Sequence, residues 1–346
     1  MLYISNTVTD DVYEVYDTDD CTFNNLSESD IFKLHNSGIK VQGVSDTDIK
    51  IFDVYKVINK WLLLGQVKQK LNKYNISSIG DFIGLPNYKF SIVNNRIHLN
   101  RIIPKKNIFE YTIPDFTNSI DSYCFIEFDK TRYYNIKIGR GIKTLPRLLF
   151  YDFFLNNIII PNTVEIIEQE CFSNTSINNL QFESNRVNEL YLGNKCFKFC
   201  ICSSKLNIDG MVSISKGRAS FNNSAFKGIT IKNISDSSCG EFSYMQHLEE
   251  LTIDGEFTEL VNSSIYGNLK LKSVRINSKN LTSIGFSCFN YCLDLKEVFI
   301  ESVKLNRIEQ DCFVSCNEDL VIFCRSNEVA ETIRKATNYR IKVKVV

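Results

Sequence analysis

The chain has 346 residues, 44% of them hydrophobic and 23% charged, a composition that excludes wholesale disorder. Lys+Arg and Asp+Glu stand at 40 each, so net charge recommends neither nucleic acid nor an acidic surface as partner. No apolar run reaches the roughly 18 residues of a spanning helix, and the opening MLYISNTVTDD has no basic, apolar leader, so a cytoplasmic protein with no membrane partner is expected.

Charge is uneven along the first third. Residues 1–32 carry eight acids and no Lys or Arg, whereas residues 56–106 carry ten bases against the single acid Asp81. Val12–Tyr16 alternates as a strand does. Ser27-Glu28-Ser29-Asp30 has the form of a capping box, opening a helix that stops near Gly38, with a strand over Ile39–Val44. Ile49–Val57 is strand-like, Gln66–Tyr74 reads as a short amphipathic helix, and Lys89–Val93 with Arg96–Leu99 forms a hairpin around Asn94-Asn95. A small α/β domain over residues 1–110 is the expectation. Its basic stretch, with Lys68, Lys70 and Lys73 near Tyr74, Phe82, Tyr88 and Phe90, offers an alternative nucleic-acid or ribonucleoprotein site. The two oppositely charged segments can equally offset each other within that domain.

Beyond it the sequence repeats. Cys-Phe occurs at Cys124-Phe125, Cys171-Phe172, Cys196-Phe197, Cys288-Phe289 and Cys312-Phe313, and four residues before each Cys stands an aliphatic: Ile120, Ile167, Leu192, Ile284 and Ile308. After Phe289 come Cys292, Leu295, Val298 and Ile300, then Leu305 and Ile308 lead into the next Cys-Phe. Anchors at 125, 149, 172, 197, 226, 242, 265, 289 and 313 are spaced by 24, 23, 25, 29, 16, 23, 24 and 24 residues, with Ala225 replacing Cys once. The 16-residue step around Gly228–Ile231 predicts a truncated coil. A unit of this length is one strand-bearing coil, and its apolar row is buried only when coils stack. Phenylalanine fills the corner, and the small Cys sits where a larger group clashes.

These residues resemble the BspA-type leucine-rich repeat, most closely from Ile158-Ile159-Ile160-Pro161 through Val164 and Ile167 to Cys171-Phe172. The ending also resembles that family's close: Leu320–Cys324, a helix capped by Ser326 or Asn327 and running through Ala336, then a last strand near Ile341–Val343. The resemblance covers about residues 120–346 and implies a β-rich solenoid. With only four alanines amid many Asn, Ile, Lys and Tyr residues, the chain suggests an AT-rich source. The stretch Tyr13–Val44 resembles segments attached to repeats in phage and mobile-element proteins.

Twelve cysteines invite metal or disulfide chemistry, yet Cys196/Cys200, Cys288/Cys292 and Cys312/Cys316 follow the repeat, and Cys200-x-Cys202 is the one close pair outside it. Structural, reduced thiols are expected. His35, His98 and His247 have no recognisable catalytic setting, Gly139-Arg140-Gly141 is too short for a dinucleotide fingerprint, and Asp17–Asp20 lacks the glycine and distal Glu of a calcium loop. No catalytic residue, metal, cofactor or small-molecule substrate is assigned.

The expected fold class is α+β: an N-terminal α/β domain over 1–110 and a leucine-rich-repeat solenoid over 111–346 with a helix–strand cap. The expected function is non-enzymatic recognition of a protein partner, in one version a phage-encoded inhibitor of a host defence protein, with a surface adhesin as a further alternative. Side chains alternate along strands, so the residue between the last two aliphatics of each coil faces outward. That column reads Lys137, Ile159, Gln181, Asn207, Thr230, Thr252, Arg275, Phe299 and Val321, flanked by residues such as Glu250 and Glu297. Gln181, Glu250, Thr252, Arg275, Glu297 and Phe299 are the candidate protein-binding residues, with Arg275 beside Phe299 as the anchor pair.

Overall fold

The computed structural model describes residues 2–6, 12–15, 39–42, 85–93, 96–214, 220–235, 238–239 and 242–346. They fall into two compact units, Met1–His98 and Leu99–Val346. In the first unit, Leu2–Asn6 lies between Val12–Val15 and Ile39–Gln42, antiparallel to both. The strand expected at 12–16 and the start of that expected at 39–44 are therefore in place. The expected helices at 27–38 and 66–74, the strand at 49–57, and Lys68, Lys70 and Lys73 lie outside the described residues. The expected hairpin strands are seen at Tyr88–Val93 and at Arg96–Ile102, which runs across the division of the chain.

The second unit is a solenoid of short parallel strands. Glu110–Thr112, Tyr134–Lys137, Phe154–Ile160, Ser176–Phe182 and Ile201–Cys202 form a five-stranded sheet in that order. An eleven-stranded sheet carries Gly228–Ile234, Glu250–Gly255, Ser273–Asn277, Glu297–Ile300, Val321–Cys324 and Lys342–Val345 in succession. Alternation explains the burial: in Glu297–Ile300 the valine and isoleucine are buried, while Glu297 is exposed and Phe299 half-buried. A third row of two-residue strands, Glu259–Leu260, Ser283–Ile284 and Arg307–Ile308, includes two of the aliphatics that precede Cys-Phe.

The corner between these rows is a column of stacked rings. Phe125, Phe150, Phe172, Phe197, Phe221 and Phe242 follow one another with ring centroids 5.1–5.4 Å apart. Ile265 continues the column, and Phe289 stacks on Phe313 at 5.0 Å. Each fully buried ring contributes about 1.5–3 kcal/mol of apolar burial. Two expected anchors are thereby corrected. Phe150 rather than Leu149, and Phe221 rather than Phe226, occupy the corner, and the small neighbour is Ser220 rather than Ala225. The steps from Phe197 become 24 and 21 residues in place of 29 and 16, so the chain closes a full turn where a truncated coil was expected. Phe226 instead meets Phe197 and Phe221 edge-on.

The backbone of each corner is held in a particular shape. Residues two before and two after the corner position adopt left-handed φ: Glu170 and Asn174 around Phe172, Ser287 and Tyr291 around Phe289, Asp311 and Ser315 around Phe313. This conformation costs roughly 1–2 kcal/mol for a non-glycine residue. It turns alternate N–H groups along the solenoid axis, where each meets a carbonyl of the next turn; Phe172 N–H, for example, donates to Cys196 O at 2.8 Å.

The C-terminal helix, Asn327–Ala336, begins where Ser326 Oγ accepts the Val329 N–H at 3.2 Å, and it buries Val329, Ala330 and Ile333. Glu328 in its first turn and Arg334 and Lys335 in its last suit the helix dipole. Among the described residues no helix is long and apolar enough to cross a membrane.

Candidate functional site

Parallel in-register pairing turns the outward residues of the large sheet into continuous columns. One reads Asn207, Thr230, Thr252, Arg275, Phe299, Phe323 and Lys344. Four of the candidate residues named from sequence, Thr252, Arg275, Glu250 and Glu297, lie on this face with Phe299 as the fifth. The strand of Gln181, Ser176–Phe182, adjoins Leu206–Ile208 without pairing with it. Gln181 belongs to the five-stranded sheet, where it pairs with Ile159 in a separate column with Lys137.

The end of the column needs a second correction. Val321 pairs with Glu297, and the partner of Phe299 is Phe323. Leu320 and Ile322 are both buried, which makes Val321 look like the outward residue between them. The strand instead keeps Ile322 and Cys324 inward, matching Val298 and Ile300, and presents Phe323.

The anchor is consequently larger than a pair. The Arg275 guanidinium lies 4.0 Å from the Phe299 ring centre, Phe299 and Phe323 stack at 4.6 Å with planes 7° apart, and Lys344 Nζ lies 5.6 Å from the Phe323 ring. Two cations thus close the ends of a two-ring stack, each drawn to the negative face of a ring. The contact fixes these long side chains before any partner arrives, lowering the ordering cost of binding. Beside it run Glu250, Ser273, Glu297 and Val321. On the other side Glu301 receives Arg325 through two hydrogen bonds, Nε at 2.8 Å and Nη2 at 2.6 Å. That arginine holds the Glu301 carboxyl below its ordinary range. Glu250 is engaged by Lys205 at 2.6 Å. The face is a rigid apolar stack with a charged rim.

A further exposed aromatic row escapes the strand-based reading. Tyr244, Tyr266 and Tyr291 meet edge to face at 5.2 and 5.6 Å. Tyr244 and Tyr291 hold the left-handed positions after the corner, a signal visible only once the corner register is known.

The cysteines whose side chains are described are structural. Of these ten, nine are buried and Cys316 is half-buried, all with free thiols. Burial pushes the thiols of Cys171, Cys196, Cys200, Cys292 and Cys312 well above the ordinary range, and that of Cys316 up to about 12. These six thiols therefore stay protonated at neutral pH. Three residues after the corner, the side chain donates back to the preceding corner's carbonyl. Thr175 Oγ1 reaches Phe150 O at 2.6 Å, Asn268 Nδ2 reaches Phe242 O at 2.8 Å, and Cys292 and Cys316 Sγ reach Ile265 and Phe289 O at 3.2 Å. Gly139 is likewise structural, since a Cβ there would stand 2.4 Å from the Pro114 carbonyl oxygen. Among the described residues no group of three or more His, Cys, Asp or Glu could hold a metal ion.

Comparison with known proteins agrees with this architecture. The pattern of the BspA type leucine rich repeat region, in six copies, matches residues 103–227 and 214–336; it is a repeat family rather than a catalytic one. The pneumococcal vaccine antigen PcpA is similar in structure, at 14% identity and a TM-score of 0.30, over 75% of this chain and 97% of that one. A leucine rich cell surface protein from Faecalibacterium prausnitzii is 13% identical with a TM-score of 0.30, over 75% and 93%. A leucine-rich repeat protein from Eubacterium ventriosum is 14% identical with a TM-score of 0.30, over 75% and 83%. No curated protein matches the sequence.

Proposed function

Because the chain belongs to the BspA-type leucine-rich-repeat family, we propose that it is a non-enzymatic recognition protein that holds a protein partner on the face of its large sheet. The stack Arg275–Phe299–Phe323–Lys344 carries this reading. Aromatic and arginine side chains dominate the energetics of protein interfaces, and a pre-ordered stack inside a charged rim has the layout of such an anchor. A reducing cytoplasm suits the free thiols, and occlusion of a partner's surface is the proposed mode of action.

The test is a nuclease-treated pull-down from the native host followed by affinity measurement with the recovered partner. Changing Arg275 and Phe299 together to Ala should weaken binding by about 2 kcal/mol or more with the thermal transition retained. Unchanged affinity in that double variant, with Lys68/Lys70/Lys73 substitutions abolishing binding in a steeply salt-dependent manner, would move the site to the N-terminal basic stretch.

A further inference from the structure

The corner ladder has a direction. In the turns of Phe150, Phe172, Ile265 and Phe289, three alternate N–H groups point toward the C-terminal end and meet three carbonyls of the following turn. Glu170, Phe172 and Asn174 donate to Asn194, Cys196 and Lys198 at 2.8–3.0 Å; Ser263, Ile265 and Gly267 to Phe286, Cys288 and Asn290 at 2.9–3.0 Å. Ser287, Phe289 and Tyr291 donate to Gln310, Cys312 and Val314 at 2.8–3.1 Å.

One turn later the equivalent donors are Asp311, Phe313 and Ser315. Asp311 and Ser315 repeat the left-handed pair, each with φ 55°, so the three N–H groups keep the same aim. None of them donates to a group of the described residues. They face a cleft of about 820 Å³ between this last corner and the chain from Ala336 to Ile341. The cap treats the rest of the solenoid end differently. Its helix covers the core with Val329, Ala330 and Ile333, and Lys342–Val345 pairs with the exposed edge of Val321–Cys324. The corner, like the last short strand Arg307–Ile308, has no next turn paired to it. Phe313, stacked on Phe289 through one face, is half-buried.

We propose that this cleft is a second binding site, which takes a short peptide segment of a partner protein in place of the missing turn. Carbonyls of alternate residues would accept from Asp311, Phe313 and Ser315 N–H, and an aromatic or aliphatic side chain between them would lie on the open face of Phe313. A neutral peptide fits better than a free anion, because the Asp311 and Glu318 carboxylates outnumber Arg340, the one cation lining the cleft. This is recognition by continuing a backbone ladder, as in strand addition to a sheet edge, and side-chain fit over the ring supplies the selectivity.

The probe is the end-blocked peptide with the sequence of Gly285–Leu293, whose Phe286, Cys288 and Asn290 carbonyls meet such a donor set within the fold. It is titrated under reducing conditions into the ¹⁵N-labelled full chain. Saturable shifts at the amides of Asp311, Phe313 and Ser315 are expected, and the cleft-filling variant Ala336→Trp should lose them while keeping the rest of its spectrum. The proposal fails if millimolar peptide leaves these amides unmoved, if acetate alone moves them as far, or if Ala336→Trp responds as the parent chain does.

Discussion

Phe289 and Phe299 lie ten residues apart and differ in almost everything that decides their energetics. Phe289 is fully buried, held between Ile265 and the ring of Phe313; Phe299 projects from the sheet, half-buried, between Arg275 and Phe323. Phe289→Ala should cost about 3–5 kcal/mol as a large core truncation, whereas Phe299→Ala should cost about 1 kcal/mol, the worth of a lost stack. Denaturant melts of the two variants compare them directly, and equal costs would contradict the register. The buried thiols make a second expectation at this scale. The folded protein should show no disulfide in mild non-reducing conditions, and chelators should leave its melting temperature unchanged, as read by thiol titration and thermal melts; stoichiometric metal by elemental analysis would overturn this. The Cys-Phe corner was legible because Cys recurs beside it. Phe150 and Phe221 were not, since Leu149-Phe150 offers two apolar candidates and Ser220 removes the cysteine marker.

Among elements, the strands were legible wherever aliphatics alternate, and the column through Thr230, Thr252, Arg275 and Phe299 follows from that alternation alone. It slips at Val321–Cys324, where Leu320 sits one residue nearer the strand than Leu295 does in the preceding turn. Buried Leu320 and Ile322 then mimic an alternating pair, and only pairing with Glu297–Ile300 resolves the register. Polar groups that close the turns, such as Asn268 with its three hydrogen bonds, carry no periodic signal and could not be found from hydrophobicity. The terminal helix was legible from its cap. Ser326→Ala removes the acceptor for Val329 N–H and should destabilise the helix by about 1 kcal/mol. Hydrogen exchange should rise first at the amides of residues 328–332, with the strands of the inner turns unaffected.

Across the whole molecule, each inner solenoid turn borrows its stability from the next, so its strand edges, corner N–H groups and ring faces are met by stacking, whereas the last corner keeps its donors and one ring face open. That arrangement frees the outward residues from structural duty and lets them form one preorganised face. We place the protein partner on this face, around Arg275, Phe299, Phe323 and Lys344. Hydrogen–deuterium exchange of the full chain, alone and with the partner bound, tests that placement most directly. Added protection is expected, centred on residues 250–255, 273–277, 297–300 and 321–324. Protection confined to residues 56–106, with those strands exchanging as they do in the free protein, would contradict it.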